Sequence, residues 1–367
     1  MRKLDGGARI RYQRFGSSLV IPHSSFQMPS PAHPPEAFAS ALERWFAEHR
    51  KDYPWRQTTD PYAILVAEVM LQQTQITTVL DRGYYVRWLE QFPTFEALAA
   101  AEEDEVLRAW EGLGYYRRAR NLHKLAKHIV DLHGGVMPRE PSEILALPGI
   151  GPYTTGAVAS FAFGLKEPIV DGNVARVLMR VFDDRTPIDT TEGTKRLWER
   201  AKTLVRASTK PGDFNSGLME LGQTICRVSD ADCIRCPVKA FCRATNPTEL
   251  PIKSKRTVIT EVTERVFFHR SADSILLEQE TGNRRTGLWK LPALPEGDAL
   301  PTVLHKATYG ITRYKVTLWV HDAPNKHAMP DSHRWIPLGE LGDLPMPAPY
   351  RKALHAVMRA ADFHLEG

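Results

Sequence analysis

No cysteine of this 367-residue chain lies outside a short segment between residues 226 and 242. Its four thiols follow the spacing C-x₆-C-x₂-C-x₅-C, as Cys226, Cys233, Cys236 and Cys242. The chain shows no secretory signal, so disulfides of an oxidising compartment are disfavoured. Four converging thiolates would repel one another without a metal, and the segment therefore predicts zinc or an iron–sulfur cluster. Zinc loops usually have two tight cysteine pairs, whereas only the middle pair is tight here, which favours a cluster.

Long apolar runs and a strong net charge are also absent. No apolar stretch is long enough to span a bilayer, so we expect no membrane association. The net charge of +5, with 43% hydrophobic and 25% charged residues, is that of an ordinary globular protein. A mildly basic balance is compatible with a polyanionic partner but does not require one.

The chain divides into regions of different character. Residues 1–34 are basic and proline-containing without an apolar core, so we expect a disordered arm, or residues that precede a start at Met28. Helical periodicity dominates residues 35–243, and strand signals are almost absent before residue 255. Residues 244–257 hold two prolines and a basic cluster, and they predict a linker.

Residues 258–367 predict a smaller α+β domain. Its β-rich runs are Val262–His269, Ser274–Leu277 and Tyr314–Val320, and a helical tail follows at Pro349–Phe363. Earlier in the chain, His123, His128 and His133 are five residues apart and share no helical face. We therefore interpret these histidines as surface residues and not as metal ligands.

A turn with two glycines, Gly149-Ile150-Gly151, separates a short helix from a second helix that begins at Pro152. Glycine allows positive φ and close backbone approach, and amides at such a turn and helix N-terminus suit a phosphate oxygen. Most Gly-x-Gly turns are plain turns. This one becomes specific because Asp171 follows about twenty residues later and the cysteine segment lies beyond it.

This combination resembles the helix-hairpin-helix DNA glycosylases that carry a [4Fe–4S] cluster, over about residues 35–242. The endonuclease III branch has a lysine nucleophile in the second hairpin helix. Tyr153 stands at that place here, which resembles the adenine DNA glycosylases, as does the motif that runs from Glu68 to Thr74. The resemblance implies a mainly α fold with an iron–sulfur loop at residues 226–242, a [4Fe–4S] cofactor, and a small α+β Nudix-like C-terminal domain.

Two carboxyl groups are candidates for catalysis. The segment Pro61–Thr74 is apolar nearly all round, so its helix should be buried with Glu68 as its only acid. Burial raises the pKa of a carboxyl group and makes it a proton donor near neutral pH, although a structural ion pair with Arg56 is the alternative. Asp171 precedes a helical run and should remain an ionised N-cap.

One neutral and one charged carboxyl group form the pair that glycosidic cleavage needs. The acid protonates the leaving base, and the carboxylate stabilises or captures the sugar cation. By the resemblance, Tyr153 and Asn173 position groups around the sugar.

A basic helix follows the sequence Gly112-Leu113-Gly114-Tyr115-Tyr116. Its cations are three and four residues apart, which places them on one face that could contact a DNA backbone or simply be solvated. They are Arg117, Arg120, Lys124 and Lys127. The resemblance implies that Tyr115 is a wedge in the base stack, that Gln72 and Gln73 read base edges, and that Arg56 lies at the active-site rim.

The stretch Leu288–Pro292 resembles the Nudix-like domain of adenine DNA glycosylases, without the acidic residues of a metal-dependent Nudix site. The family senses 8-oxoguanine through a Phe-Ser-His segment on a hairpin. The best match here is Ile311-Thr312-Arg313. Thr312 keeps a hydroxyl, and Arg313 is expected to reach a base edge or a phosphate.

The resemblance implies a monomeric, monofunctional enzyme that excises adenine opposite 8-oxoguanine or guanine in double-stranded DNA. An endonuclease III-like glycosylase for oxidised pyrimidines is a first alternative, disfavoured by the missing lysine. A non-catalytic iron–sulfur DNA-binding module is a second, disfavoured by Glu68 and Asp171. If the source is bacterial, we expect a cytoplasmic protein associated with the nucleoid.

Overall fold

The computed structural model describes residues 34–254, 258–282, 285–295, 300–311, 313–324 and 329–363. The predicted basic arm up to residue 33 and the candidate Thr312 lie outside the described residues. Helices dominate the first two thirds of the chain, and a last one closes the C-terminal part. They are α1 Pro35–His49, α2 Pro61–Leu71, α3 Ile76–Asp81, α4 Tyr84–Gln91, α5 Phe95–Ala100, α6 Glu103–Ala109, α7 Arg117–His133, α8 Pro141–Ala146, α9 Pro152–Phe161, α10 Gly172–Val181, α11 Thr191–Arg206, α12 Pro211–Thr224 and α13 Ala348–Phe363.

Side-chain caps fix the starts of the helices that matter for the site. Asp60 accepts hydrogen bonds from the backbone amides of Tyr62 and Ala63, and proline occupies the first position of α2. Thr94 caps α5 in the same way. Helix α2 ends at Leu71 and not at residue 74 as predicted, because Gln72 is extended and Gln73 has a φ of 58°.

The helices form two apolar cores with α9 between them. The first core contains side chains of α2, α4, α5, α6 and α7, among them Leu65 and Trp88. The second joins α1 to α10, α11 and α12, with Leu42 and Phe214 among its members. Helix α9 contacts both α2 and α12 and gives side chains to both cores. The cleft between the two helical modules therefore borders α2, α9 and α10.

One of the histidines interpreted as surface residues is instead buried. His123 is 4% exposed on α7, whereas His128 and His133 are partly exposed. His123 lies four residues after Ala119 and three before Ala126, so it falls on the apolar face that α7 packs against the first core. The interpretation was wrong for His123. Whether a residue faces the core depends on the apolar residues three and four positions away on the same helix, and not on the spacing between histidines.

The C-terminal part contains two three-stranded sheets and α13. In the first sheet the order is β1-β5-β4, with β1 parallel and β4 antiparallel to β5. In the second, β3 and β6 flank β2 in antiparallel pairs. The strands are β1 Thr260–Phe268, β2 Ser274–Gln279, β3 Trp289–Lys290, β4 Val303–Ile311, β5 Tyr314–Asp322 and β6 His333–Pro337. The sequence predicted β1, β2 and β5 but missed β4, which buries none of its residues fully and so lacks a strong apolar pattern.

The C-terminal part packs against the first helical core. Leu288 is fully buried within that core. The hydroxyl of Tyr116 donates to the carbonyl oxygen of Met346 at 3.0 Å, and Arg351 Nη2 donates to Glu111 Oε2 at 2.8 Å. Two of these contacts, at Glu111 and Tyr116, therefore flank the loop that carries Tyr115.

The segment predicted as a linker is attached to the helical part as far as Ser254. Leu250 is buried, the amide of Ile188 donates to Ile252 O at 3.0 Å, and Ser254 binds the carboxylate of Asp189 through its amide and hydroxyl.

Among the helices described, none is both long and apolar enough to cross a membrane.

Candidate active site

Glu68 is a buried carboxyl group at the floor of the cleft. It lies on α2, a helix whose residues from Tyr62 to Met70 are all buried, and it is 5% exposed. Burial raises the pKa of Glu68 from 4.5 to about 7, and the charge of Asp171 adds to the rise. A hydrogen bond from Tyr153 and the charge of Arg56 act in the opposite direction. Glu68 is thus partly protonated at neutral pH and can donate a proton.

Tyr153 holds this acid in place from the second hairpin helix. Its hydroxyl donates to Glu68 Oε2 at 2.7 Å and lies 3.6 Å from the sulfur of Met219 on α12. Burial and the neighbouring acids raise the pKa of Tyr153 well above 10, so the phenol remains a hydrogen-bond donor. Tyr153 therefore orients one oxygen of Glu68.

Asp171 is the N-cap of α10, as predicted. Its Oδ1 accepts from the backbone amide of Val174 at 2.7 Å, and its Oδ2 accepts from Asn173 Nδ2 at 3.0 Å. Arg176 Nη2 donates to Asn173 Oδ1 at 2.8 Å and so fixes the orientation of that amide. Gly222 allows this approach of α12, because a Cβ there would lie 2.7 Å from the Asn173 Cβ. Both oxygens of Asp171 are therefore held as acceptors of hydrogen bonds.

The proposed alternative, an ion pair between Arg56 and Glu68, is not found. Arg56 Nη1 lies 2.5 Å from Glu220 Oε2, and its guanidinium stacks between the rings of Phe46 and Tyr53, 5.0 and 4.8 Å from their centroids. No pattern in the sequence pointed to Glu220, a 2%-exposed acid on α12 that lies 164 residues from Arg56. Arg56 still lines the cleft, and its contact with DNA stays a prediction.

One cleft of about 2110 Å³ brings the predicted residues together. Its lining runs from the carboxyl groups to the C-terminal sheet, where Tyr309, Ile311 and Tyr314 contribute. Arg313, which is exposed, does not line the cleft. The predicted site residues that line it are Arg56, Glu68, Gln72, Gln73, Tyr115, Arg117, Gly149, Gly151, Tyr153, Asp171 and Asn173.

The hairpin glycines act differently from each other. Gly149 has a φ of 77°, and a Cβ there would lie 3.0 Å from the Cβ of Asn121 on α7. Gly151 is extended, has open space around it, and is the N-cap of α9 without a side-chain cap. The first amides of α9 are therefore available to an anion that enters the cleft.

The basic face of α7 is interrupted. Arg117, Lys124 and Lys127 are exposed, but Arg120 Nε lies 2.7 Å from Glu103 Oε1, and its Nη2 donates to the carbonyl of Thr286. Arg118 was not among the predicted site residues, although its side chain lines the cleft. The available signal was its position four residues before Leu122, on the buried side of α7.

The cysteine segment contains four free, partly buried thiols. Burial raises the pKa of Cys236 to about 11, and negative charge on the other three cysteines would raise it further, so the four lie within electrostatic reach of one another. Arg180 Nη1 lies 3.3 Å from Cys226 Sγ, and its guanidinium also donates to the carbonyls of Arg227 and Val228. Within the described ranges, no three His, Cys, Asp or Glu side chains are already arranged as a metal site. Burial raises the pKa of Cys242 as well as that of Cys236, and thiols that resist ionisation in this way suit a cluster that stabilises thiolates.

Comparisons with known proteins agree with this geometry. Residues 66–203 match the family model of the HhH-GPD superfamily base excision DNA repair proteins. The structure is similar to that of a thermostable thymine-DNA glycosylase, with a TM-score of 0.52 and 33% identity over 59% of this chain and 96% of that one. The fold and site thus define a helix-hairpin-helix base excision DNA repair protein, and the predicted mainly α fold with a small C-terminal sheet domain is confirmed.

Proteins of similar sequence show to which family of base excision repair proteins the chain belongs. The human adenine DNA glycosylase is 43% identical over 222 residues, which cover 58% of this chain and 40% of that protein. The adenine DNA glycosylase of Buchnera aphidicola subsp. Baizongia pistaciae is 34% identical over 258 residues, 69% of this chain and 71% of that one. The chain belongs to the adenine DNA glycosylase family. It spans less than half the length of the human and mouse relatives that it matches, 40% and 47%.

Proposed function

We propose that this protein is a monofunctional adenine DNA glycosylase of base excision repair, acting on adenine opposite 8-oxoguanine or guanine in double-stranded DNA. One observation carries the proposal. Glu68, with a pKa raised to about 7, lies in one cleft with Asp171, which is held as a hydrogen-bond acceptor. Two carboxyl groups in opposite protonation states are what acid-assisted cleavage of a glycosidic bond requires.

The chemistry follows from these two groups. Adenine in the base stack is out of reach, so it must be flipped into the cleft. Glu68 then protonates a ring nitrogen of adenine, the bond between C1′ and N9 breaks, and its electron pair leaves with the base. Asp171 stabilises the cationic sugar, or captures it as an ester that water then opens. Water gives its hydroxyl to C1′ and its proton to the Glu68 carboxylate, which restores the acid.

Tyr153 supports the assignment as a monofunctional enzyme. A phenol that donates to Glu68 has no amine with which to form a Schiff base, which the endonuclease III-like alternative needs. Together with Asn173, which binds Asp171, it orients the carboxyl groups. The uncapped amides after Gly151 and the exposed Arg117 are suited to phosphates on either side of the flipped nucleotide.

The far end of the cleft is suited to the base opposite adenine. Ile311 and Tyr314 line it at the tip of the β4–β5 hairpin. Arg313 is exposed there, with its guanidinium 5.3 Å from the centroid of the Tyr314 ring. This supports a role for the hairpin in sensing 8-oxoguanine, and Thr312 enters the proposal on its sequence alone.

A [4Fe–4S] cluster held by Cys226, Cys233, Cys236 and Cys242 belongs to the same proposal. When bound, it would supply a rigid metal crosslink for the loop and the capacity for one-electron transfer. Arg176 and Arg180 both donate to the carbonyl oxygen of Cys226, and Arg176 also contacts Asn173. The loop is therefore connected to the site that holds Asp171. For a bacterial source, we propose a cytoplasmic monomer that works on nucleoid DNA.

A gel assay tests the proposal. The full chain is incubated with a duplex that contains adenine opposite 8-oxoguanine, with adenine opposite thymine as the control, and samples are run with and without hot alkali. We expect strand breaks in the first duplex only after alkali. Breaks without alkali would contradict the monofunctional assignment, and a lack of breaks under both conditions would contradict adenine excision.

A further inference from the structure

Two residues that line the cleft have left-handed backbone conformations although neither is glycine. Gln73 has a φ of 58° and Tyr115 a φ of 49°; in the described part of the chain, Asp183 is the other such case. Side chains with a Cβ rarely adopt this region, and they remain there only where the surroundings hold them. Gln73 lies just after α2 and Tyr115 just before α7, so two separate loops are strained at the same cleft.

Arg118 holds both loops at once. On the side of α2, its Nη1 donates to the carbonyls of Val69 at 2.8 Å and Met70 at 2.9 Å and also to that of Gln72. Its Nη2 donates to Thr74 Oγ1 at 3.1 Å. On the side of α7, Nη2 donates to the carbonyls of Leu113 at 3.0 Å and Gly114 at 3.2 Å. One guanidinium thus joins residues on both sides of Gln73 to the loop that carries Tyr115.

These bonds connect to the catalytic acid as well. Val69 and Met70 belong to the last turn of α2, whose carbonyls have no partner within the helix, and a cation there also opposes the negative end of the helix dipole. Glu68 lies on that turn. Arg118 therefore fixes the end of the helix that presents Glu68 together with the residues that follow it.

The guanidinium has no carboxylate partner among the described residues. Burial lowers the pKa of Arg118 to about 10. The Nε atom of Arg118 has no hydrogen-bond partner among the described residues. The rings of Trp110 and Tyr115 lie 5.2 and 5.6 Å from its Cζ. A partly buried cation that only carbonyls, one hydroxyl and aromatic rings compensate adds little to stability, so its bonds are better explained by the loops that they position.

We propose that Arg118 is a positioning residue for base extrusion, which sets Gln73 and Tyr115 in the strained conformations needed to occupy the space that the flipped adenine leaves. The proposal rests on the proposed function, in which the base must leave the stack. The planar fork of arginine reaches both loops with fixed geometry, whereas a lysine ammonium at this place would reach only part of the set.

The test is a double-mutant cycle between Arg118→Met and Tyr115→Ala. Arg118→Met keeps most of the apolar stem and removes every donor. Single-turnover excision with enzyme in excess and the fluorescence of 2-aminopurine beside the target adenine report chemistry and flipping, and titration of active sites corrects for unfolded protein. If Arg118 acts through Tyr115, each single variant should lose roughly tenfold or more in rate and flipping signal, and the double variant should be little worse than either.

Two further variants sharpen the result. Arg206→Met replaces an exposed arginine at the end of α11 and should behave as wild type. Arg118→Lys should remain close to Arg118→Met, and full recovery would overturn the requirement for the fork. Independent, multiplicative losses in the double variant would overturn positioning through Tyr115. A wild-type protein that flips but does not excise adenine would instead contradict the proposed function and leave the cycle readable through the flipping signal.

Discussion

The hydroxyl of Tyr153 lies 2.7 Å from Oε2 of Glu68, and it donates a hydrogen bond across 85 residues of sequence. In the endonuclease III branch, the corresponding position carries a nucleophilic lysine. Here the same helix position supports the acid on α2. Under the proposed function, Tyr153 is therefore a support for the acid and not a nucleophile.

Glu68→Gln should bind the mispaired duplex but lose excision, because an amide cannot supply the proton. We expect a loss of roughly 10²–10⁴-fold in the single-turnover rate, the usual range for a general acid. Glu199→Gln, at an exposed position of α11, is a matched control that should retain the wild-type rate. A near-normal rate in Glu68→Gln would refute the assignment of the acid.

The excision rate should fall as pH rises through about 7, since the protonated form of Glu68 is the active one. The same pKa affects stability. It lies above the unfolded value of 4.5, so the stability linked to this group is complete below pH 4.5 and is lost as the pH rises from there through about 7. Glu68→Gln should therefore be more stable than wild type at pH 8, by up to about 3 kcal/mol, with no such advantage near pH 4. Denaturant unfolding at the two pH values checks the sign.

Tyr153→Phe should move the pH profile of excision to higher pH. The hydrogen bond from Tyr153 lowers the pKa of Glu68, so its removal should raise that pKa further. The rate at pH 6 should fall only through poorer orientation of the acid, whereas the decline at alkaline pH should begin later than in wild type. A pH midpoint that does not move, or moves down, would contradict the geometry at Oε2.

The purified protein should be yellow-brown, with broad absorption towards the blue and about four iron atoms and four sulfides per chain. Cys236→Ser should lose the colour, since the cluster needs each of the four thiolates. Stoichiometric zinc without iron after anaerobic preparation would show that the four thiols form a zinc site instead.

Replacement of both Thr312 and Arg313 by alanine should reduce the preference for 8-oxoguanine over guanine opposite adenine. Each lost hydrogen bond to a base edge is worth roughly 1–3 kcal/mol of discrimination, whereas lost phosphate contacts weaken both duplexes alike. The affinities for the two duplexes should be measured at one salt concentration, since the electrostatic contribution varies with salt. An unchanged ratio would place the sensor elsewhere in the chain.

Local signals in the sequence determined much of the fold and the positions of the two carboxyl groups, Glu68 and Asp171. The caps at Asp60 and Asp171, the apolar helix around Glu68 and the Gly149–Gly151 turn depend on neighbours within about four residues, and the structure has them where the sequence predicted. The same turn also predicted that Tyr153 lies in the first turn of the second hairpin helix, as the structure has it. Such features need no knowledge of packing, because hydrogen bonds and helical periodicity within one element define them.

Tertiary structure alone decided which distant groups meet. Glu220 pairs with Arg56 across 164 residues and leaves Glu68 to Tyr153, while Arg118 reaches carbonyls up to 49 residues away. In the sequence, Arg118 differs from the exposed Arg117 by its position four residues before Leu122, which indicates a buried face but not the carbonyls that it reaches. The physical reason is that a buried polar group must find partners on whichever elements pack around it, and those elements come together only when the apolar cores close.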